Sequence, residues 1–250
     1  MRPYAAAAIF ALASVVVRGG ADATDRLTRT LPLAEGTPIH LTATIANVNI
    51  TGSTRSDVSV EIVRRAPSAA DLARYPAAIE ERSDGLHIDA AQQDEGRDAN
   101  LKTEIAIAVP STAVFQTVRV FEGRVSLTNL TRACDVELKR GPITAAGLGG
   151  RVRLETDLGS VDVRDAALTP GGMMRLRVFN GTVRVRFAKA PTSARILALT
   201  FFGTIASDIP LTMKDRFGPR FGETTIGSGD PVMSIDVVKG NITINSPRPR

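Results

Sequence analysis

Three residue types that carry chemistry are scarce in this chain. The 250 residues include one cysteine, two histidines and no tryptophan. A single cysteine forms no internal disulfide and cannot build a cysteine-rich metal cluster, so both are excluded. Cys134 lies in an apolar strand pattern, and we expect a small core residue rather than a reactive thiol. Aromatics make up only 4%, which predicts an aliphatic core suited to stacked strands.

Long apolar runs are also lacking, except at the N-terminus. Ala5 to Val17 is a run of apolar or small residues that follows Arg2, and Ala21-Asp22-Ala23 fits a small-x-small cleavage pattern. The run is too short to span a bilayer comfortably. We therefore predict a secretory signal peptide over residues 1–23 and a β-strand repeat domain over residues 24–250. Because Arg18 lies late in the segment, an uncleaved anchor is the alternative.

The remaining chain repeats one phrase: apolar, x, apolar, x, x, Gly, x, apolar, x, apolar. The glycine positions are spaced by 18, 18, 22, 22 and 37 residues, and Ala46 occupies the glycine place in an earlier copy. A period near 20 residues is typical of repeat architectures. The alternation in each copy predicts strands with one buried face. The bends are Gly123, Gly141, Gly159, Gly181, Gly203 and Gly240.

Each bend is compatible with two geometries. Val178 and Val183 lie five residues apart across Gly181, so both face the same side. That spacing is expected of a tight hairpin and equally of a solenoid corner. The number of copies favours a mainly β, single-stranded, β-solenoid-like stack of short strands. A β-sandwich or barrel of hairpins is the alternative.

Two regions depart from the repeat. Residues 57–63, "GLHIDA" and "EIAIAVP" read as further strands, and Ser68 with Asp71 predicts one short helix near residues 68–82. Residues 214–231 contain four glycines and two prolines, which argues against regular structure there.

These features together carry a family resemblance. "SDVSVEIVRR", "DGLHIDA", "EIAIAVPSTAVFQTVRVFEGRVSL" and the successive G-x-[VI]-x-[VIL] phrases resemble the toastrack, or adhesin-like, β-strand repeat family of bacterial envelope proteins, from Leu31 to Ser246. The resemblance implies a stack of strands in an exported protein, and a link to envelope stress or adhesion. It implies no catalytic residues.

Candidate catalytic and metal-binding residues are few. His40 and His87 lie between apolar strand residues, so we expect both at the surface, and their separation in sequence argues against a zinc site. Glu155, Asp157 and Asp162 could serve a glycosidase, but arginines interleave with them, which favours a solvated charge ladder. We therefore expect no enzyme activity, no cofactor and no metal.

The arginines are the candidate binding surface. Six of them alternate with apolar residues on successive copies, and stacked strands would bring them into a basic column. Such a column could bind phosphorylated lipid, lipopolysaccharide or acidic glycan. The competing interpretation, which the pattern favours, is that these charges prevent aggregation between strands. The six are Arg151, Arg153, Arg175, Arg177, Arg184 and Arg186.

The sequence thus predicts a non-catalytic, periplasmic or extracellular protein with a binding or scaffold role at the cell envelope. We expect an anionic envelope component or another envelope protein as partner, and no nucleic acid, since aromatics for base stacking are few. No segment after the signal peptide is apolar enough to span a membrane. The alternatives are a polysaccharide-acting enzyme on a β-solenoid and a module that self-assembles through an open end of the stack.

Overall fold

The computed structural model describes residues 17–18, 22–92, 100–214 and 218–247. The predicted signal peptide lies almost entirely outside the described residues, so its cleavage stays a prediction. Among the described residues, no helix is long and apolar enough to cross a bilayer. In chain order the elements are β1 (Val17–Arg18), β2 (Ala23–Pro32), β3 (Pro38–Ser53), β4 (Asp57–Ala66), α1 (Ala69–Arg74), β5 (Ala78–Arg82), β6 (Gly85–Ala90), β7 (Lys102–Pro110), β8 (Val114–Thr128), β9 (Ala133–Arg140), β10 (Ile143–Ala146), β11 (Arg151–Ala166), β12 (Met173–Phe187), β13 (Ala194–Phe202), β14 (Ile205–Ser207), β15 (Thr212–Lys214), β16 (Arg220–Ile226), β17 (Val232–Lys239) and β18 (Ile242–Asn245).

The repeat copies form bent rungs that stack in parallel. Each rung has a first arm before its corner and a second arm after it, and the rungs are β3, β8, β9 with β10, β11, β12, β13 with β14, and β17 with β18. The register runs through the corner: Leu176 pairs with Leu154 on one arm and Val183 with Val161 on the other. Because both arms pair with the neighbouring rung, the hairpin alternative is wrong. The predicted mainly β, solenoid-like stack is confirmed.

The corners explain why glycine recurs. Gly181 pairs with Gly159 of the next rung, and a Cβ on Gly181 would overlap the carbonyl oxygen of Gly159. The same collision would occur at each of the six corner glycines. Positive φ alone does not explain the pattern, because Gly159 and Gly203 lack it. Ala46 starts the series, since it provides the carbonyl that Gly123 approaches.

The core fills the space between the two arms of every rung. Val178 and Val183, on opposite sides of one corner, are both fully buried. Cys134 is buried in the same cluster, as predicted, and burial raises the pKa of its thiol to about 12. The aliphatic positions of the repeat therefore form one continuous interior.

The two ends of the stack are closed differently from its middle. At the N-terminal end, the first arm of β3 pairs with β6 and its second arm pairs with β7. Strand β4 pairs antiparallel with β7, and β2 pairs antiparallel with β4.

The predicted helix is present but shorter, as α1, with Ser68 accepting a hydrogen bond from the Asp71 amide. Residues 78–82, which we had assigned to the helical region, form β5. Arg64 joins α1 to the sheet, since it donates to the Tyr75 carbonyl and to Asp25.

At the other end the rung order departs from the chain order. Strands β17 and β18 insert between β12 and β13, so Gly240 lies between Gly181 and Gly203. The expectation that residues 214–231 lack regular structure is wrong: β16 lies there and pairs antiparallel with β13. Its backbone hydrogen bonds cover the edge that β13 would otherwise expose, which outweighs the local cost of its glycines.

Candidate functional site

The fold separates the chain's outward side chains into two surfaces. The outer face of the first arms carries charged and aromatic residues, and the outer face of the second arms carries mostly small polar ones. The registered row across the second arms is Asn49, Ser126, Thr144, Asp162, Arg184 and Thr243. The corresponding row across the first arms is Arg119, Glu137, Glu155, Arg177 and Asp236.

The six candidate arginines do not form one column. Arg151, Arg153, Arg175 and Arg177 lie on the first arms, whereas Arg184 and Arg186 lie on the second arm of β12. Only Arg153 and Arg175 are direct register partners of the same charge. The basic surface that the sequence suggested is therefore divided between two faces.

Acidic side chains neutralise part of the first-arm surface. Arg153 pairs with Glu155 at 2.7 Å and with Asp135 at 3.3 Å, and Arg177 approaches Glu155 at 3.5 Å. Lys139 pairs with Glu137 at 3.0 Å, and its hydrogen bond lowers the pKa of that carboxyl. The predicted mixed-charge ladder is present, because acidic and basic side chains share this face and form ion pairs within and between neighbouring strands.

The carboxylates and histidines do not build a hydrolase site. Glu155 and Asp157 lie on the first arm of β11, and Asp162 lies on its second arm. His40 is on β3, and two further rungs, β8 and β9 with β10, lie between it and β11. Glycoside hydrolysis needs two carboxyl groups flanking one bond. The candidate residues of the enzyme alternative thus do not converge in one cleft.

Several aromatic residues lie at the surface, which was not predicted from the sequence. Within the described part of the chain, Phe115 and Phe187 belong to the main buried core, and Tyr75 is buried in a small cluster beside α1. Phe179, Phe201 and Phe202 are 57%, 50% and 71% exposed, and Leu158 lies among them at 44%. Soluble proteins seldom expose several large apolar side chains together without a binding role.

Register explains how these side chains come together. Phe179 and Phe201 each stand two residues before a corner glycine, on strands separated only by β17 with Val238 between them. Leu158, Asn180, Lys239 and Phe202 form the next row toward the corner. We call Leu158, Phe179, Phe201, Phe202 and Val238 the corner patch. Its signal in the sequence is phenylalanine preceding the repeat glycine, as in "VFNG" and "TFFG".

Cations border the corner patch. Arg140 pairs in register with Leu158, and Lys239 pairs with both Asn180 and Phe202. Arg140 and Lys239 are both exposed, and Arg140 lies over the ring of Phe121 at 5.6 Å. Arg151 and Arg175 lie farther along the same face and have no ion pair among the described residues. The surface is therefore aromatic at the corner, with Arg140 and Lys239 beside it and with Asp157, which pairs with Lys139, on the strand next to Phe179.

A cleft of about 540 Å³ opens near the N-terminal end of the stack. Its lining includes the apolar side chains Leu31, Leu33 and Leu86 and the charged residues Arg82 and Asp84. It lies on the opposite end from the corner patch, so the two surfaces are separate features of the molecule.

The two histidines are neighbours although 46 residues lie between them in sequence. His40 of β3 pairs in register with His87 of β6, and the rings stack with centroids 4.6 Å apart. Both side chains lie at the surface and are partly buried. The premise that these residues are distant is wrong, because a parallel pairing that no local pattern signals brings them together.

Comparison with known proteins identifies the architecture. No family model matches the chain, and no curated protein matches it by sequence. The crystal structure of a "putative cell adhesion protein" from Clostridium sporogenes matches with a TM-score of 0.52 and 12% identity, covering 88% of this chain and 98% of that chain. A "putative adhesin" from Bacteroides fragilis matches with a TM-score of 0.40 and 12% identity, covering 88% of this chain and 96% of that one. At the level of fold, the resemblance inferred from the repeat is confirmed: this chain has the β-strand stack of an adhesin-like protein.

Proposed function

We propose that this chain is a non-catalytic envelope protein that binds the surface of an anionic membrane through the corner patch and its surrounding cations. The observation that carries the proposal is the exposure of Phe179, Phe201 and Phe202 at one corner of the stack, in a protein with few aromatics. The adhesin-like fold and the predicted export support a binding role, at the periplasmic or extracellular side of the envelope.

The chemistry of the patch suits a lipid interface. Aromatic and leucine side chains partition into the boundary between headgroups and acyl chains, and each buried one contributes about 1.5–3 kcal/mol. Lys239 and Arg140 stand beside them, where they would face anionic headgroups at about 1 kcal/mol each. Neither contribution alone anchors a protein firmly, so we expect both to be needed.

The face also favours lipid over a soluble acidic glycan. Glu155 and Asp135 neutralise Arg153, and Glu155 also approaches Arg177, so an extended basic column is not available. What remains is a compact apolar patch with cations at its border. That arrangement matches an amphipathic surface better than a purely anionic polymer.

Self-assembly through the ends of the stack has less support. Three of the outermost strands are short, since β14 and β15 have three residues each and β5 has five. The fourth, β2, has ten residues, and its outer edge pairs with β1 at two of them among the described residues. Short edge strands offer few unpaired backbone groups to a second copy. We therefore favour a binding role over assembly by strand addition.

Vesicle sedimentation tests the proposal. The purified chain should sediment with vesicles containing anionic phospholipid, and binding should weaken as salt rises because the headgroup attraction is screened. The triple variant Phe179→Ala, Phe201→Ala, Phe202→Ala should bind at least about 1,000-fold more weakly. Lys239→Gln should reduce binding less and flatten its salt dependence.

A matched variant on the other face provides the control. Ser126→Ala, Thr144→Ala and Thr243→Ala together change three side chains in the second-arm row, and vesicle binding should not change. Equal, salt-independent binding to neutral and anionic vesicles would reject the proposal. Binding to a soluble acidic polysaccharide with none to vesicles would also reject it.

A further inference from the structure

The histidine pair has a third potential metal ligand beside it. Asp84, in the turn before β6, places a carboxylate oxygen 2.8 Å from Nε2 of His87. One donor atom from each of His40, Asp84 and His87 lies within 4.8 Å of the others. Both histidines of the chain thus occupy one register position, next to a carboxylate.

We infer that His40, Asp84 and His87 form a binding site for a divalent late transition metal, with Zn²⁺ as the ion that fits best. Two imidazoles and one carboxylate suit zinc, which takes nitrogen ligands at about 2.0–2.1 Å and oxygen ligands at about 2.0–2.2 Å. Three protein ligands leave a fourth position of the tetrahedron for water.

The geometry requires only side-chain adjustment. Ligand atoms around a tetrahedral zinc lie roughly 3.3 Å apart, as follows from these bond lengths. The donor atoms here need to close by about 1.5 Å at most, which rotation of exposed side chains can provide. The backbone supplies the alignment, because β3 and β6 are hydrogen-bonded in register at this position.

The residue that follows Asp84 holds the turn in place. Gly85 has a φ of +139°, and a Cβ there would overlap the carbonyl oxygen of Pro38. The turn therefore packs closely on the start of β3, the strand that carries His40. This contact holds the carboxylate and the two imidazoles on one side of the sheet.

The surrounding charges are compatible with a cation. Glu80 pairs with His87 across β5 and β6, and Arg82 binds Glu80 at 2.9 Å. That ion pair is neutral overall, so Asp84 contributes the uncompensated negative charge of the cluster. Arg82 also lies 3.4 Å from Nδ1 of His87, which leaves Nε2, beside Asp84, as the nitrogen that faces the ion.

The competing interpretation is an ordinary histidine–aspartate ion pair. Under that interpretation Asp84 and His87 interact directly, and His40 only stacks against the ring. The two interpretations differ in what His40 does: a metal site needs its nitrogen, whereas an ion pair does not.

Titration calorimetry with Zn²⁺ tests the site on the full chain purified without a polyhistidine tag. We expect one ion per chain, and loss of binding in both His40→Ala and His87→Ala. Asp84→Asn should weaken binding by more than about 100-fold, since loss of a residue that only orients a ligand already costs about 10–100-fold. Asp162→Asn, which changes an acid on the second-arm surface, should bind zinc as the parent chain does.

Nuclear magnetic resonance gives a second readout that does not depend on variants. The chain has only two histidines, so its imidazole rings give two sets of signals, and Zn²⁺ should shift both sets at equimolar addition. Absence of saturable binding would overturn the inference. So would a shift of the His87 ring alone, or zinc binding that persists in His40→Ala.

Discussion

The outer faces of the two arms belong to the same strands yet carry different chemistry. On β12 each arm presents two arginines, but the first arm adds Phe179 to Arg175 and Arg177, whereas the second arm adds Thr182 to Arg184 and Arg186. The inner faces of the same arms are alike, because both are lined by buried aliphatic side chains. The stack therefore requires buried aliphatic side chains on the inside of every rung, whereas the outward side chains of the two arms can differ.

The largest expected effect comes from a substitution at the corner that joins the two arms. Gly181→Ala should lower the free energy of unfolding by more than about 4 kcal/mol, because the added Cβ overlaps the neighbouring carbonyl. Gly36→Ala is the control: Gly36 also has a positive φ but has open space around it, so about 1–2 kcal/mol is expected. Urea unfolding measures both. Equal losses would show that φ, rather than contact between rungs, dictates glycine at the corners.

Core truncations should affect the two arms equally. Leu176→Ala on a first arm and Ile242→Ala on a second arm each remove a fully buried side chain. Each should cost about 2–5 kcal/mol of unfolding free energy. Calorimetric or urea unfolding of both variants compares the arms directly. A loss confined to one arm would mean that the two inner faces do not share one cooperative core.

The smallest expected effect concerns the charge ladder of the first arms. The hydrogen bond from Lys139 lowers the pKa of Glu137 below its ordinary value of 4.5. The folded state thus favours the ionised carboxylate, so this contribution is present above about pH 4.5 and is lost as pH falls through the lower folded value. Glu137→Gln should cost less than about 1 kcal/mol at pH 7.

Unfolding at pH 7 and at pH 3 distinguishes this electrostatic cost from a packing cost. The deficit of Glu137→Gln should shrink toward pH 3, because the parent protein loses this contribution as pH falls through the lowered pKa of the folded carboxyl. Thr144→Ala, on the second-arm face, should change stability by no more than about 0.5 kcal/mol at either pH. A Glu137→Gln deficit that persists in acid would contradict the ladder as its source.

The repeat, its corners and its buried positions can all be predicted from local patterns in the sequence. The alternation of apolar and polar residues predicted that Val178 and Val183 face inward, and the recurring glycines predicted the corners. Both patterns are local properties of a strand and its bend. The short helix was found from Ser68 and Asp71 for the same reason. Its extent was overestimated, since the pairing of Ala78–Arg82 with β6 is a contact between separate strands.

The contacts between residues that are far apart in sequence are set by the tertiary structure. Parallel pairing placed His40 beside His87, inserted β17 and β18 between β12 and β13, and gathered Phe179, Phe201 and Phe202 at one corner. It also divided the six arginines between two faces. Backbone hydrogen bonds between strands are nearly the same for any sequence. The order and register of the rungs therefore cannot be predicted from local sequence patterns.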